Sequence, residues 1–134
     1  MRGIWGWLLL GWLVWLPLPP EGLAAPARGH AWSEEEKIAL LIESVRDIRE
    51  GARFIRNGTE YGAAEAAAHL NRKYSRAKSR VKTAGEFIKH VASRSSLSGK
   101  EYLIRYPDGT AVTAEEFFMD KLRKLKGEEE TQIP

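Results

Sequence analysis

The chain contains no cysteine. Disulfides, thiolate metal sites and cysteine nucleophiles are therefore excluded, and so is the acylated cysteine on which a bacterial lipoprotein anchor depends. Tryptophan is nearly absent outside the first 18 residues: four of the five (Trp5, Trp7, Trp12, Trp15) lie there, and Trp32 is the other. No apolar run reaches the roughly 20 residues that a membrane-spanning helix needs; residues 4–18 come nearest, with 15. Nor does charge of one sign dominate. There are 21 Lys and Arg against 18 Asp and Glu, a net charge of +3, and the two signs are interspersed along most of the chain. Nucleic-acid binders concentrate basic residues into a stripe with a recognisable motif, so this pattern argues against that partner.

What is present begins with a leader. Met1 and Arg2 give a short positive start, residues 4–18 an almost unbroken apolar run, and Pro17, Pro19 and Pro20 stop any helix. This is the grammar of a secretory signal peptide, expected over residues 1–27 with cleavage near 24–27. Small residues stand at the minus-3 and minus-1 positions for a cut after Ala24 (Gly22, Ala24) or after Ala27 (Ala25, Ala27). The expected product is a periplasmic protein without a stable membrane span. Dropping Arg2 and Glu21 removes one charge of each sign, so the remainder stays at +3. Residues 28–32 are expected to be mobile.

Ser33 followed by Glu36 is a capping box and opens a first helix. Ile38, Leu41, Ile42, Val45, Ile48, Ala52 and Ile55 then recur at helical spacing, with Asn57-Gly58 as its end. On that helix Arg46, Arg49, Arg53 and Arg56 form one flank, either a solvated face or an arginine row turned toward an anion. Phe54 falls away from the apolar stripe, so it is exposed or covered by another element. A second helix follows over about residues 63–81, with Leu70, Tyr74, Ala77 and Val81 in line and thin alanines that suit close packing. Thr83 with Glu86 opens a third helix carrying Phe87, Ile88 and Val91, and a serine-rich loop runs to Gly99-Lys100. Pro107-Asp108-Gly109 turns a hairpin over residues 102–113. Thr113 with Glu116 starts a last helix that Gly127 should end, leaving residues 127–134 as a disordered acidic tail. The expected fold is mainly α with a small β-hairpin, a single compact domain over residues 33–126 in the order helix, helix, helix, strand, strand, helix.

Several chemical readings fail on spacing. A phosphate loop needs a glycine five residues before Gly99-Lys100 and a Ser or Thr after it, but Arg94 and Glu101 stand there. A serine–lysine hydrolase needs Ser-x-x-Lys, and Leu97 stands three before Lys100. His30, His69 and His90 are too scattered for a metal site, and no cofactor motif is present.

The stretch from residue 53 to 102 resembles the YfeK-like proteins, a family of small exported bacterial proteins of unknown function. The matching residues are Arg56-Asn57-Gly58, His69-Leu70 with Lys73 and Arg80, Thr83-Ala84 with Phe87-Ile88, and residues 93–100 with Tyr102. Gly62 departs from the pattern, where the family often has a small hydroxyl or thiol before the second helix. The resemblance implies a bacterial periplasmic location and one small domain. It implies no activity.

His69, Lys73, Arg76 and Arg80 lie on one stripe at the edge of the second helix, facing the serine-rich loop. His69, Lys73, Arg80, Ser93, Ser95, Ser96, Ser98 and Lys100 are therefore the candidate ligand-binding residues, as a basic, hydroxyl-lined pocket for an anion. The competing reading is that they tie down a loop whose backbone groups would otherwise lack partners. The functional expectation is a non-catalytic envelope binding or adaptor module, its partner an anionic envelope ligand or another periplasmic protein. The alternative is a small hydrolase or transferase acting on an envelope substrate through His69 and the loop. It requires a loop serine within about 3.2 Å of His69.

Overall fold

The computed structural model describes residues 31–131; the leader and residues 132–134 lie outside the described residues. The order is α1 (Glu34–Arg46), β1 (Arg53–Arg56), β2 (Thr59–Tyr61), α2 (Ala63–Ala77), α3 (Ala84–Phe87) running on as a π-helical turn (Ile88–Ala92), β3 (Leu103–Arg105), β4 (Ala111–Thr113) and α4 (Ala114–Thr131). The strands form one antiparallel sheet in the order β2-β1-β3-β4. Among the described residues the fold is thus mixed, with four helices and a four-stranded sheet. The expected mainly α fold with a lone hairpin, three helices in succession, is wrong.

The error lies between residues 47 and 61. The capping box at Ser33 and Glu36 forms, and Ile38, Leu41, Ile42 and Val45 are buried. The helix, however, stops at Arg46 instead of continuing to Ile55. Gly51 takes φ +81°, a conformation that breaks any helix. Asn57 (φ 51°) and Gly58 (φ 80°) then form the two-residue turn of a hairpin, which needs positive φ at both central positions. Arg56 pairs with Thr59 across that turn, and Phe54 with Tyr61. On its other side Phe54 pairs with Ile104, so Phe54 and Ile104 share the inner face, 3% and 0% exposed. The four arginines form no row, because they sit on α1, a turn and both faces of β1. Arg46 pairs with Glu43 at 3.1 Å and Arg49 with Asp108 at 3.7 Å.

The hairpin over residues 102–113 is present, but as half of this sheet. α2 packs its thin end, Ala66 and Ala67, against α1. It ends at Ala77, with Val81 still reaching the core through a turn on the Ala77 carbonyl. α4 runs through Gly127 to Thr131. Its last turn is held by Glu129, which meets the Lys37 ammonium at 3.3 Å and accepts from the Trp32 backbone N–H at 2.7 Å. Lys37 and Glu129 are only 11% and 18% exposed, so this pair offers the acidic segment a packed partner. Helix continues where Gly127 was read as a stop.

Candidate functional site

The core under the sheet centres on Tyr102, 1% exposed, whose ring lies 5.4 Å from Phe54 and 6.2 Å from His69 between centroids. One helical turn beyond His69 on α2, Lys73 reaches across to the end of the π-helical turn. Its ammonium donates to the carbonyls of Val91 (2.7 Å) and Arg94 (2.5 Å) and to the Tyr102 hydroxyl (3.3 Å). An ammonium has three protons, and all three are used. Helix ends leave carbonyls without intrahelical partners, and Lys73 takes them up. Burial, reinforced by the Arg56 charge, pulls its pKa down to about 8, while its carbonyl acceptors favour the charged form. It remains an ammonium at neutral pH.

Arg56 shares the inner face of β1 with Phe54, because alternate strand residues point the same way. A guanidinium nitrogen lies 3.0 Å from Nδ1 and 3.3 Å from Nε2 of His69. Burial, then the charges of Arg56, Lys73, Arg72 and Arg76, lower the His69 pKa to about 4. The imidazole is neutral at pH 7 and accepts from Arg56.

The serine loop is tied from within. Tyr102 N–H donates to the Ser93 carbonyl and Ser95 N–H to the Lys100 carbonyl, 2.9 Å each, with Gly99 at φ +70°. Ser93, 2% exposed, donates through Oγ to the Ile88 carbonyl at 2.5 Å, five residues back, as a π-helical turn allows. Ser95 Oγ accepts from the Leu97 and Ser98 amides and from Asn57 Nδ2, each at 3.3 Å. Ser98 Oγ donates to Asn57 Oδ1 at 2.5 Å. Among the described residues, His69 has Arg56 as its hydrogen-bond partner and no loop serine. The serine–histidine pair that the hydrolase reading needs is not formed.

The eight candidate residues therefore separate. Lys73, half-buried, and Ser93, buried, anchor the loop and the π-helical turn, Ser98 anchors to Asn57, and His69 holds Arg56. Lys100 is exposed; it serves the loop through its backbone, the carbonyl accepting from Ser95 N–H and its own N–H donating to Ser98 Oγ at 3.3 Å. Arg80, Ser95 and Ser96 come together with Lys89, His90 and Arg94 around an open cavity of about 610 Å³. A second cavity of about 480 Å³ adjoins it, sharing Lys89, His90 and Arg94 and adding Ile88, Glu115 and Met119. Lys89 lies in the π-helical turn and Arg94 just after its end, and both line the two cavities. No ion pair joins Arg80, Lys89, His90 or Arg94 to a carboxylate within 4 Å among the described residues. No three acidic or histidine side chains among them converge on a metal-sized gap.

Sequence reasoning missed Arg56, Asn57, Lys89, His90 and Arg94. The signal for the first two was there: Arg56-Asn57-Gly58 belongs to the family pattern, and it meets His69, Lys73, Tyr102 and the serine loop in space. For the other three there was none, because a π-helical turn is not visible in the spacing.

The comparisons with known proteins agree with the resemblance. The model of a family described as "Family of unknown function (DUF5329)" matches residues 32–126. An uncharacterized protein, YfeK, of Salmonella typhimurium strain LT2 is 36% identical over 69 residues, 52% of this chain and 57% of that protein. The chain thus matches little more than half the length of that relative. No solved structure gives a significant match. Since the family model takes in α1 and most of α4 together with everything between them, the chain belongs to the DUF5329 family, whose function is unknown.

Proposed function

We propose that this chain is a non-catalytic binding module of the bacterial envelope, exported by its leader, and that it recognises an anionic group in the groove between α2, the π-helical turn and the serine loop. The observation that carries this reading is the 610 Å³ cavity lined by Arg80, Lys89, His90 and Arg94 with Ser95 and Ser96. Its size is that of a ligand site. Guanidinium and hydroxyl donors are the groups that hold phosphate or carboxylate oxygens. Among the described residues, no carboxylate lines this cavity. The envelope location is supported by the leader pattern and by the YfeK-like residues; the partner is an anionic envelope ligand or an acidic surface of another exported protein.

Titrating the full chain with inorganic phosphate and pyrophosphate, with melting temperature as readout, tests the groove. A ligand that binds only the folded state raises the melting temperature with concentration. The parent should show this, and a Lys89→Ala/Arg94→Ala variant should not. Equal responses from the two would overturn the groove as the site.

A further inference from the structure

Leu97 is 94% exposed and Met119 46%, and these are the large hydrophobic side chains left exposed among the described residues. Leu97 follows Ser96, which lines the first cavity, and Met119 lines the second. Single exposed leucines are ordinary; this one stands at the tip of a loop built to hold it out. Ser95 Oγ accepts from the Leu97 amide itself and from that of Ser98, and the Gly99 N–H closes on the Ser95 carbonyl at 2.9 Å. The tip is ordered, it is flanked by small hydroxyl residues, and Arg94 and Lys100 stand at either side of it in the chain.

We propose that this face docks on an anionic lipid bilayer, with Leu97 entering the boundary between headgroups and acyl chains while Lys89, His90 and Arg94 meet lipid phosphates. The inference rests on the groove as an anion site and names its source. A basic surface adds about fivefold in partitioning for each Lys or Arg near anionic lipid. An inserted leucine adds buried apolar area to that attraction, and interfacial binding scales with the two together. The lipid surface is favoured over a nucleotide because the side chain held out beside the basic residues is a leucine, 94% exposed, which can enter acyl chains but offers no ring to stack on a base. Glu115 is the one carboxylate lining the second cavity and lies on its α4 side, away from Leu97 in the chain.

The absence of cysteine makes a clean test possible. An environment-sensitive fluorophore is attached at Ser96→Cys in the full chain, and in a separate sample at Thr110→Cys in the turn between β3 and β4. Vesicles of phosphatidylcholine are compared with vesicles containing phosphatidylglycerol. Because residues 4–18 are apolar, the readout is the emission of the loop label and not pelleting of the protein. A blue shift is expected at Ser96→Cys with anionic vesicles and none at Thr110→Cys. Leu97→Ser, at unchanged melting temperature, should abolish the shift, and Arg94→Ala should weaken it about fivefold. A silent loop label, an equal shift on neutral vesicles, or a shift that survives Leu97→Ser would overturn the docking surface. So would a shift reproduced by inorganic phosphate alone, which marks the groove as a site for free anions. If phosphate still stabilises the parent while the label stays silent, the groove reading stands and the membrane surface falls. If neither responds, both fall.

Discussion

Arg56 on β1 and His69 on α2 face each other across the edge of the core, with a guanidinium nitrogen 3.0 Å from the imidazole Nδ1. Two groups that both carry positive charge when protonated are thus in hydrogen-bond contact. The contact persists because one of them is neutral. The arrangement couples the β1–β2 hairpin to α2 and makes its stability depend on the protonation of one ring.

The direction of that dependence follows from linkage. Folding lowers the His69 pKa from 6.5 to about 4, through burial first and the Arg56 charge second. Between those two values the unfolded chain binds the proton and the folded chain does not. Stability contributed by the neutral ring is therefore fully present above pH 6.5, is lost as pH falls toward about 4, and changes no further below it. As pH falls through this window the melting temperature of the parent should drop relative to that of His69→Gln, which binds no proton at that position. Parallel profiles would mean that His69 titrates normally in the folded protein.

Lys73→Met should leave the carbonyls of Val91 and Arg94 without their donor. The Arg94 carbonyl is exposed and can turn to water, whereas the Val91 carbonyl, part-buried, is left unpaired at a cost of about 1–3 kcal/mol. Urea unfolding should show a loss in that range or above, and hydrogen exchange should quicken at the amides of Ser95 and Tyr102, which close the loop base. A change below about 0.5 kcal/mol, the ordinary surface range, would show that Lys73 is not an anchor.

Val45 is 0% exposed, and Val45→Asp puts an unpaired carboxylate into the core, a cost that several kcal/mol of domain stability cannot offset. The variant should be unfolded by far-ultraviolet circular dichroism. Its neighbour Arg46, about half exposed and paired with Glu43, should tolerate alanine within about 0.5 kcal/mol. Similar melting temperatures for the two would contradict the packing of α1.

The leader pattern predicts an exported protein whose N-terminus, read by sequencing, follows Ala24 or Ala27. Recovery of an intact Met1 in the membrane fraction would show an anchored protein instead.

How far the fold could be read in advance depended on the range of the interaction that decides each element. The capping boxes at Ser33–Glu36, Thr83–Glu86 and Thr113–Glu116 all form, because both partners lie within one turn. Pro107-Asp108-Gly109 turns its hairpin for the same reason: the Thr110 N–H finds Asp108 Oδ1 at 2.9 Å. Ile48, Ala52 and Ile55 were misread because their spacing fits a helix, while Arg-Phe-Ile-Arg alternates equally well as a strand. Asn57-Gly58 serves both readings too, as a helix end or as a hairpin turn.

The candidate site divides along the same line. That α2 carries His69 and Lys73 at the edge of its apolar face is legible from 3.6-residue periodicity, whereas Arg80, expected on the same stripe, lies in the turn after Ala77. Which of them turns inward is not legible there. Lys73 meets carbonyls 18 and 21 residues away, and His69 is held by a strand residue that the helical reading had placed on a helix.

By itself the sequence determined the helix starts, the C-terminal hairpin, most of the buried positions and the family, since capping, turn chemistry and apolar spacing act within a few residues. Only the tertiary structure decided that residues 53–61 are strands: β1 gains its ladder from β3, whose Leu103 pairs with Ile55 across 47 intervening residues. The same folding half-buries Lys73 and leaves Arg80, Lys89, His90 and Arg94 together at the surface. A basic side chain is an anchor or a ligand contact according to which carbonyls reach it, and that is settled when distant segments pack.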